Sequence, residues 1–279
     1  MENYRKIGLV LGGGGARGLA HIGVAKILFE NGIEISALAG CSMGALIAAS
    51  IAIGLPIDEI ERIAGRLNSK REIIKLLDRT PSRRGLLAGK NIRKFLSRFI
   101  DPEYRIEDAI IPLTMNAVDL ITGKEIALTH GSVLDGIMAS TAIPGIFSPV
   151  EIGPYRLVDG GVLNDVPVKY LRVSTVDVVI AVDVHQHKTE DAPIASTLPY
   201  EHIPLPLPTL VQDFYRVEMI MTSALISTNL SAYPPDLLIT PTIPGDITAL
   251  FGFTRVDEII RAGEIAMREK MPELLEKLA

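Results

Sequence analysis

Ser42 sits in Gly40-Cys41-Ser42-Met43-Gly44, a G-x-S-x-G run between the apolar stretch LAG and the apolar stretch ALIAASIAI. On a sharp strand-to-helix turn, such a serine is a nucleophile elbow. The flanking glycines carry no Cβ to clash, and the helix behind aims its amides and positive dipole end at the hydroxyl. A turn serine that merely caps a helix is the plainer alternative. The strand before and the buried helix after favour the nucleophile.

Upstream lies LVLGGGGARGLAHIGVAK, residues 9 to 26. Gly13-x-Gly15-x-x-Gly18 matches a dinucleotide fingerprint, and Glu34 falls about where a ribose ligand belongs. The same geometry has another use. Successive glycine amides at a helix N-terminus stabilise any developing anion, so phosphate and ester oxyanion are both candidates. The neighbouring elbow favours the oxyanion, and Glu34 then reads as a surface residue before the next strand.

A serine needs a base, and the chain has five histidines. His21 lies in the first helix and suits local packing or hydrogen bonding. His130 sits in a turn and His202 in a proline-rich loop. His185 and His187 follow the strand VDVVIAVDV at metal-like spacing, but no third ligand is evident. The better candidate is an acid. Leu157-Val158-Asp159-Gly160-Gly161 sets a carboxylate at the end of an apolar strand against two glycines. Alone it would read as an Asp-Gly turn. Beside an elbow with no evident histidine it reads as the base, provided burial raises its pKa.

GGGARG at 13 to 18, GCSMG at 40 to 44 and DGG at 159 to 161, in this order, resemble the patatin-like phospholipase family. STAIPGIFSPV, residues 140 to 150, supports the match, while Gly12 replaces a residue that is often polar. The resemblance implies an α/β fold, a three-layer α/β/α sandwich on a mainly parallel sheet, modified from the α/β-hydrolase plan. It implies a Ser-Asp dyad: Ser42 the nucleophile, Asp159 its proton acceptor. It places the oxyanion hole at the amides of Gly13, Gly14 and Gly15, with Ala16, Arg17, Gly18, Gly40, Gly44, Gly160 and Gly161 as motif support. Arg17 would help fix the glycine loop. The implied substrates are phospholipid, lysophospholipid or simple acyl esters. No cofactor and no metal is expected. A nucleotide-dependent oxidoreductase is the reading rejected; a non-catalytic regulator that binds lipid or protein is the remaining rival.

The elements needed to position these groups are legible. KIGLVL at 6 to 11 and residues 36 to 40 read as short buried strands, with a helix from about 18 to 31 between them and Gly32 as its stop. MGALIAASIAI is apolar all round and reads as a buried helix, after which Pro56 opens PIDEIERIAGRL. Strand, helix, strand, helix argues for a parallel sheet covered on both faces. IPLTMNAVDL and EIALT read as neighbouring strands around Thr122-Gly123, and residues 132 to 143 as a helix. VDVVIAVDV is the clearest core strand. Residues 188 to 209 hold five prolines and read as a surface loop or lid. A helix at about 209 to 230, a strand LLITPT and a C-terminal helix follow. No linker or repeat divides the 279 residues, so a single domain is expected.

Charge is uneven. Residues 62 to 98 carry twelve Lys or Arg against Glu72 and Asp78, a local +10 in a chain of net −5, which leaves −15 elsewhere. This basic helical insertion, about 62 to 100, is either a solvated face or a patch for anionic lipid. Ile92, Phe95, Leu96 and Phe99 recur at helical spacing between its cations, which fits a helix lying on a membrane or one packed on the core. The one cysteine, Cys41, excludes an intrachain disulfide. No apolar run reaches the roughly 20 residues of a membrane span. The expectation is a cytoplasmic protein, peripheral at the membrane at most, without nucleic-acid partners.

Overall fold

The computed structural model describes residues 5–78, 85, 87–185, 209–248 and 252–279, with backbone alone over most of 209–219. The loop expected at 188 to 209 lies outside the described residues except Thr209, which opens a helix, and so do His187 and His202.

The strands are β1 (Ile7–Leu11), β2 (Ile35–Gly40), β3 (Leu113–Asp119), β4 (Lys124–Leu128), β5 (Val150–Ile152), β6 (Tyr155–Asp159), β7 (Val178–Val182) and β8 (Leu237–Ile239). They form one mixed sheet in the order β5-β6-β3-β2-β1-β7-β8, with β4 paired to β3. β3, β2, β1, β7 and β8 run parallel, while β4, β5 and β6 are antiparallel additions at one side. Helices α1 (Ala20–Glu30), α2 (Met43–Ala52), α3 (Ile57–Gly65), α4 (Lys70–Leu76), α5 (Lys90–Leu96), α6 (Val133–Ser140), α7 (Lys169–Arg172), α8 (Thr209–Ala232) and α9 (Val256–Leu278) complete the described elements.

Strand periodicity sorts the core into two layers. Leu9, Leu11, Leu38, Ile180 and Val182 face one side, against α1, α2, α6 and α9. Val10, Ala37, Ala39, Val179 and Ala181 face the other, against Leu171 of α7 and Ile226 of α8. The central strands are buried on both faces, which is why they read as unbroken apolar runs. This is the three-layer α/β/α arrangement.

α1 and α9 cross at two glycines. A methyl group on Gly23 would fall on the Ile260 carbonyl, and one on Gly263 on the Ala20 carbonyl. Lys26 adds ion pairs to Glu61 of α3 at 2.9 Å and Glu264 of α9 at 3.2 Å.

Some boundaries differ from the sequence reading. The first helix opens as a 3-10 turn, Gly15–Leu19, before α1 begins. Pro56 is the N-cap of α3 and not its first residue. The helix expected to 143 stops at Ser140, and β5 and α7 were not anticipated. In the basic insertion, Phe99 lies beyond the end of α5. Ile92 and Phe95 pack against the core and Leu96 is buried in it, so the apolar side of α5 faces inward.

Candidate active site

Ser42 is delivered at the carboxyl end of β2 and forms the N-cap of α2. Its backbone is at φ 51°, the only positive φ at a described residue other than glycine. Such a conformation costs about 1–3 kcal/mol and persists only where the surroundings over-determine it. Here they do. The Cys41 amide donates to the Leu11 carbonyl at 3.1 Å, and the Ser42 amide to Ser140 Oγ at 3.0 Å. A methyl on Gly44 would overlap the Leu11 and Gly12 carbonyls, and one on Gly40 would meet Ala45 Cα at 2.7 Å. The two glycines of G-x-S-x-G are therefore there because backbone meets backbone.

Asp159 ends β6, with its amide on the Ala142 carbonyl at 3.0 Å. Ser42 Oγ donates to Asp159 Oδ2 at 2.6 Å. The other oxygen, Oδ1, accepts from the Gly161 amide at 2.9 Å and from Cys41 Sγ at 3.6 Å. The pair is buried: each residue is 6% exposed. Burial pushes the Asp159 carboxyl up from 3.8 to about 7; the hydrogen bonds from Ser42 and Gly161 oppose the rise and the nearby Asp165 charge adds to it. A carboxylate near 7 is matched to accepting a proton at neutral pH.

The glycine loop stands at the end of β1, beside the elbow. Gly14 (φ 131°) and Gly15 (φ 54°) adopt conformations that exclude a side chain at little cost only for glycine. Gly18 lies against Met43, where a Cβ would meet the Met43 Cβ at 2.7 Å. The expected trio of donors is corrected at one position. The Gly13 amide already donates to the Asp165 carbonyl at 3.0 Å, so it anchors the loop and is spent. Gly14 and Gly15, ahead of the turn's first internal bond from the Arg17 amide to the Gly14 carbonyl, keep their amides clear of backbone acceptors among the described residues.

Arg17 is 4% exposed; its Nε donates to the Val184 carbonyl at 2.7 Å and its Nη1 to the Ile247 carbonyl at 3.0 Å. It ties the loop to two distant segments. His21 is fully buried, with Nε2 at 2.7 Å from the Gly12 carbonyl and its pKa pushed by burial down to about 4. It is thus a neutral donor to the loop and is not placed against Ser42. Gly160 packs on the Asn116 side chain, whose Nδ2 donates to the Asn164 carbonyl at 2.7 Å and so braces the turn after Asp159. His130 is exposed in its turn beside Thr129.

Glu34 is exposed at the amino end of β2, whereas the glycine loop lies at the carboxyl ends of the parallel strands. Six residues of strand, at about 3.3 Å each, separate it from that end. It cannot serve a ribose beside the loop. Among the described residues no group of three His, Cys, Asp or Glu side chains is arranged to hold a metal ion.

Sequence reasoning missed Ser140, Asn116 and Asp165 as supports. Ser140 and Ala142 could have been suspected, since they lie in the STAIPGIF stretch. That stretch holds both Ser42 and Asp159 through their amides.

The family model described as Patatin-like phospholipase matches residues 9–172. An uncharacterized NTE family protein of Mycobacterium tuberculosis is 38% identical over 180 residues, 64% of this chain and 49% of that protein. Lysophospholipase NTE1 of Kluyveromyces lactis is 31% identical over 182 residues, 64% of this chain and 12% of that protein. The chain thus spans about half the length of the mycobacterial relative and far less of the yeast one. Among solved structures, VipD from Legionella pneumophila aligns with a TM-score of 0.52 at 12% identity, over 97% of this chain and 67% of that one, a likeness of fold.

Proposed function

Because this chain belongs to the patatin-like phospholipase family, we propose that it is a serine hydrolase of lipid acyl esters, with Ser42 as nucleophile and Asp159 as base. The observation that carries this reading is the buried 2.6 Å hydrogen bond from Ser42 Oγ to Asp159 Oδ2. Ser42 Oγ attacks the ester carbonyl carbon as its proton passes to Asp159 Oδ2. The Gly14 and Gly15 amides take the charge that develops on the carbonyl oxygen. Asp159 then returns the proton to the departing alcohol oxygen, leaving an acyl-serine. Water attacks that ester with Asp159 again accepting the proton, which passes to Ser42 Oγ as the fatty acid leaves. Phospholipid and lysophospholipid esters are the substrate class; the family and the name of the yeast relative support it. Intact-protein mass spectrometry after a fluorophosphonate tests the reading. One adduct on the wild type, absent from Ser42→Ala, is expected. A folded wild type that takes none favours a non-catalytic lipid- or protein-binding regulator.

An apolar cavity of about 80 Å³ runs from Met43, beside the nucleophile, under α5; Leu19, Ile22, Leu46, Phe95 and Phe99 help line it. We assign it to the acyl chain. Leu46 is one turn past Ser42, its amide on the Ser42 carbonyl at 3.1 Å. Leu46→Trp should lower kcat/KM for a decanoyl ester by about tenfold or more while an acetyl ester keeps its rate within about twofold. Equal losses on both esters would remove the assignment.

The roof of that cavity belongs to the basic insertion. Arg71, Lys75 and Arg98 gather around Glu72, and Ile74 is 59% exposed among them. This is a surface for peripheral contact with an anionic membrane. No described helix is long and apolar enough to cross one. Vesicles of phosphatidylglycerol should float the protein and vesicles of phosphatidylcholine should not. Arg71→Glu with Arg98→Glu should abolish flotation while leaving hydrolysis of a water-soluble ester unchanged. Equal, negligible binding to both vesicles would retire the surface.

A further inference from the structure

Behind the glycine loop lies a cluster of buried charge that the dyad chemistry does not use. Asp165 is 5% exposed, Asp183 is fully buried and His185 is 9% exposed. His185 Nδ1 stands 3.3 Å from Asp165 Oδ2 and 3.2 Å from Asp183 Oδ1, and the His185 amide donates to Asp183 Oδ1 at 2.9 Å. One ring nitrogen facing two carboxylates calls for a proton. Burial opposes an imidazolium there, but Asp165 and Asp183 outweigh it and hold His185 up at about 9.

Asp165 touches both halves of the site. Its carbonyl accepts from the Gly13 amide at 3.0 Å. Its carboxylate lies against the Gly13 Cα, where a methyl would strike it. A methyl on Gly161 would meet Asp165 Oδ1 at 2.6 Å and Asp159 Oδ1 at 3.2 Å. The two carboxylates therefore flank one glycine. A buried negative charge at that distance discourages Asp159 from losing its proton, and a cation paired to it offsets the effect.

We propose that Asp165 and His185 form a buried ion pair that locks the glycine loop to the Asp159 turn and tunes Asp159 as a base. This rests on the hydrolase reading above. Both are positioning residues, since neither touches Ser42 Oγ. Facing His185 are Arg17 from the glycine turn, which disfavours its charge, and His21 from α1, which is neutral. Facing Asp159 are Ser42 and the Cys41 thiol, which burial pushes well up and so keeps protonated, with Glu125 of β4 adding to the same effect on Cys41.

The signs are opposite for the two partners. Asp165→Asn removes the negative charge, so Asp159 gives up its proton more readily. The acid limb of the kcat/KM profile should move down by about half to one pH unit. His185→Gln removes a positive charge from beside Asp165, so the limb should move up by a similar amount. The double variant should return towards the wild-type limb, and KM for a short soluble ester should be unchanged throughout. A role confined to holding the structure would lower the plateau and leave the limb in place. If Asp165→Asn does not fold, His185→Gln decides alone: an upward shift supports the pair and an unmoved limb overturns it. Ser42→Ala, run alongside, separates the two readings. A wild type no more active than Ser42→Ala removes the hydrolase reading and this one with it. An active wild type whose limb neither variant moves removes the ion-pair proposal alone.

Discussion

Ser42→Ala is expected to lower ester turnover by about 10³- to 10⁶-fold, the range seen when a nucleophile is deleted from a unit that acts together. The substitution removes the hydroxyl proposed to form the acyl-enzyme and changes little else. The backbone supports are kept, because the Ser42 amide reaches Ser140 Oγ and the Cys41 amide reaches Leu11 through main-chain atoms. Alanine carries the same Cβ into the same positive φ, so the local strain is unchanged as well. The loss should therefore appear in kcat with thermal stability close to the wild type. Steady-state hydrolysis of a short ester, read beside a thermal melt, checks it. Residual turnover within tenfold of the wild type would mean that another group attacks the ester.

Asp159→Asn should also remove most turnover, by about 10³-fold or more, since an amide cannot accept the Ser42 proton. Its effect on stability runs the other way. The folded carboxyl titrates at about 7 against 3.8 when free, so folding favours its protonated form. The stabilisation is complete below about 4 and is lost as pH rises through 7, where the ionised group sits in a buried site. By linkage the penalty in the wild type is on the order of 4 kcal/mol at pH 8. The asparagine variant should melt several degrees above the wild type at pH 8 and within a degree or two of it near pH 4. Equal melting at both pH values would show that Asp159 is not held near neutrality. An active Asp159→Asn would end its role as base and redirect attention to the histidines.

Much of the sheet was legible because its strands are buried on both faces and bounded by glycine or proline. β1, β2 and β7 fall within a residue or two of where apolar runs place them. β5 was not, since three residues of half-exposed hairpin leave no period to read. The pairing of Ser42 with Asp159 was legible because the glycines around them answer local demands: Gly40 and Gly44 admit neighbouring backbone, and Asp159 meets Gly161 across one turn. What escaped was anything set by distant pairing. That the Gly13 amide is taken by Asp165, far along the chain, leaves no local trace. The same holds for Asn116 beneath Gly160 and for the Asp183–His185 contact.

The stretch that carries the kinship, residues 9–172, is held by contacts from beyond its own end. Arg17 finds its acceptors at Val184 and Ile247, beyond the last matched residue. Gly23 and Gly263 mesh α1 with a helix that begins only at Val256. The matched part of the chain thus holds Ser42 and Asp159, while the part beyond it works as the vice that grips their surroundings. Variation in α9 is variation in the mounting of the proposed site, even where no motif marks it.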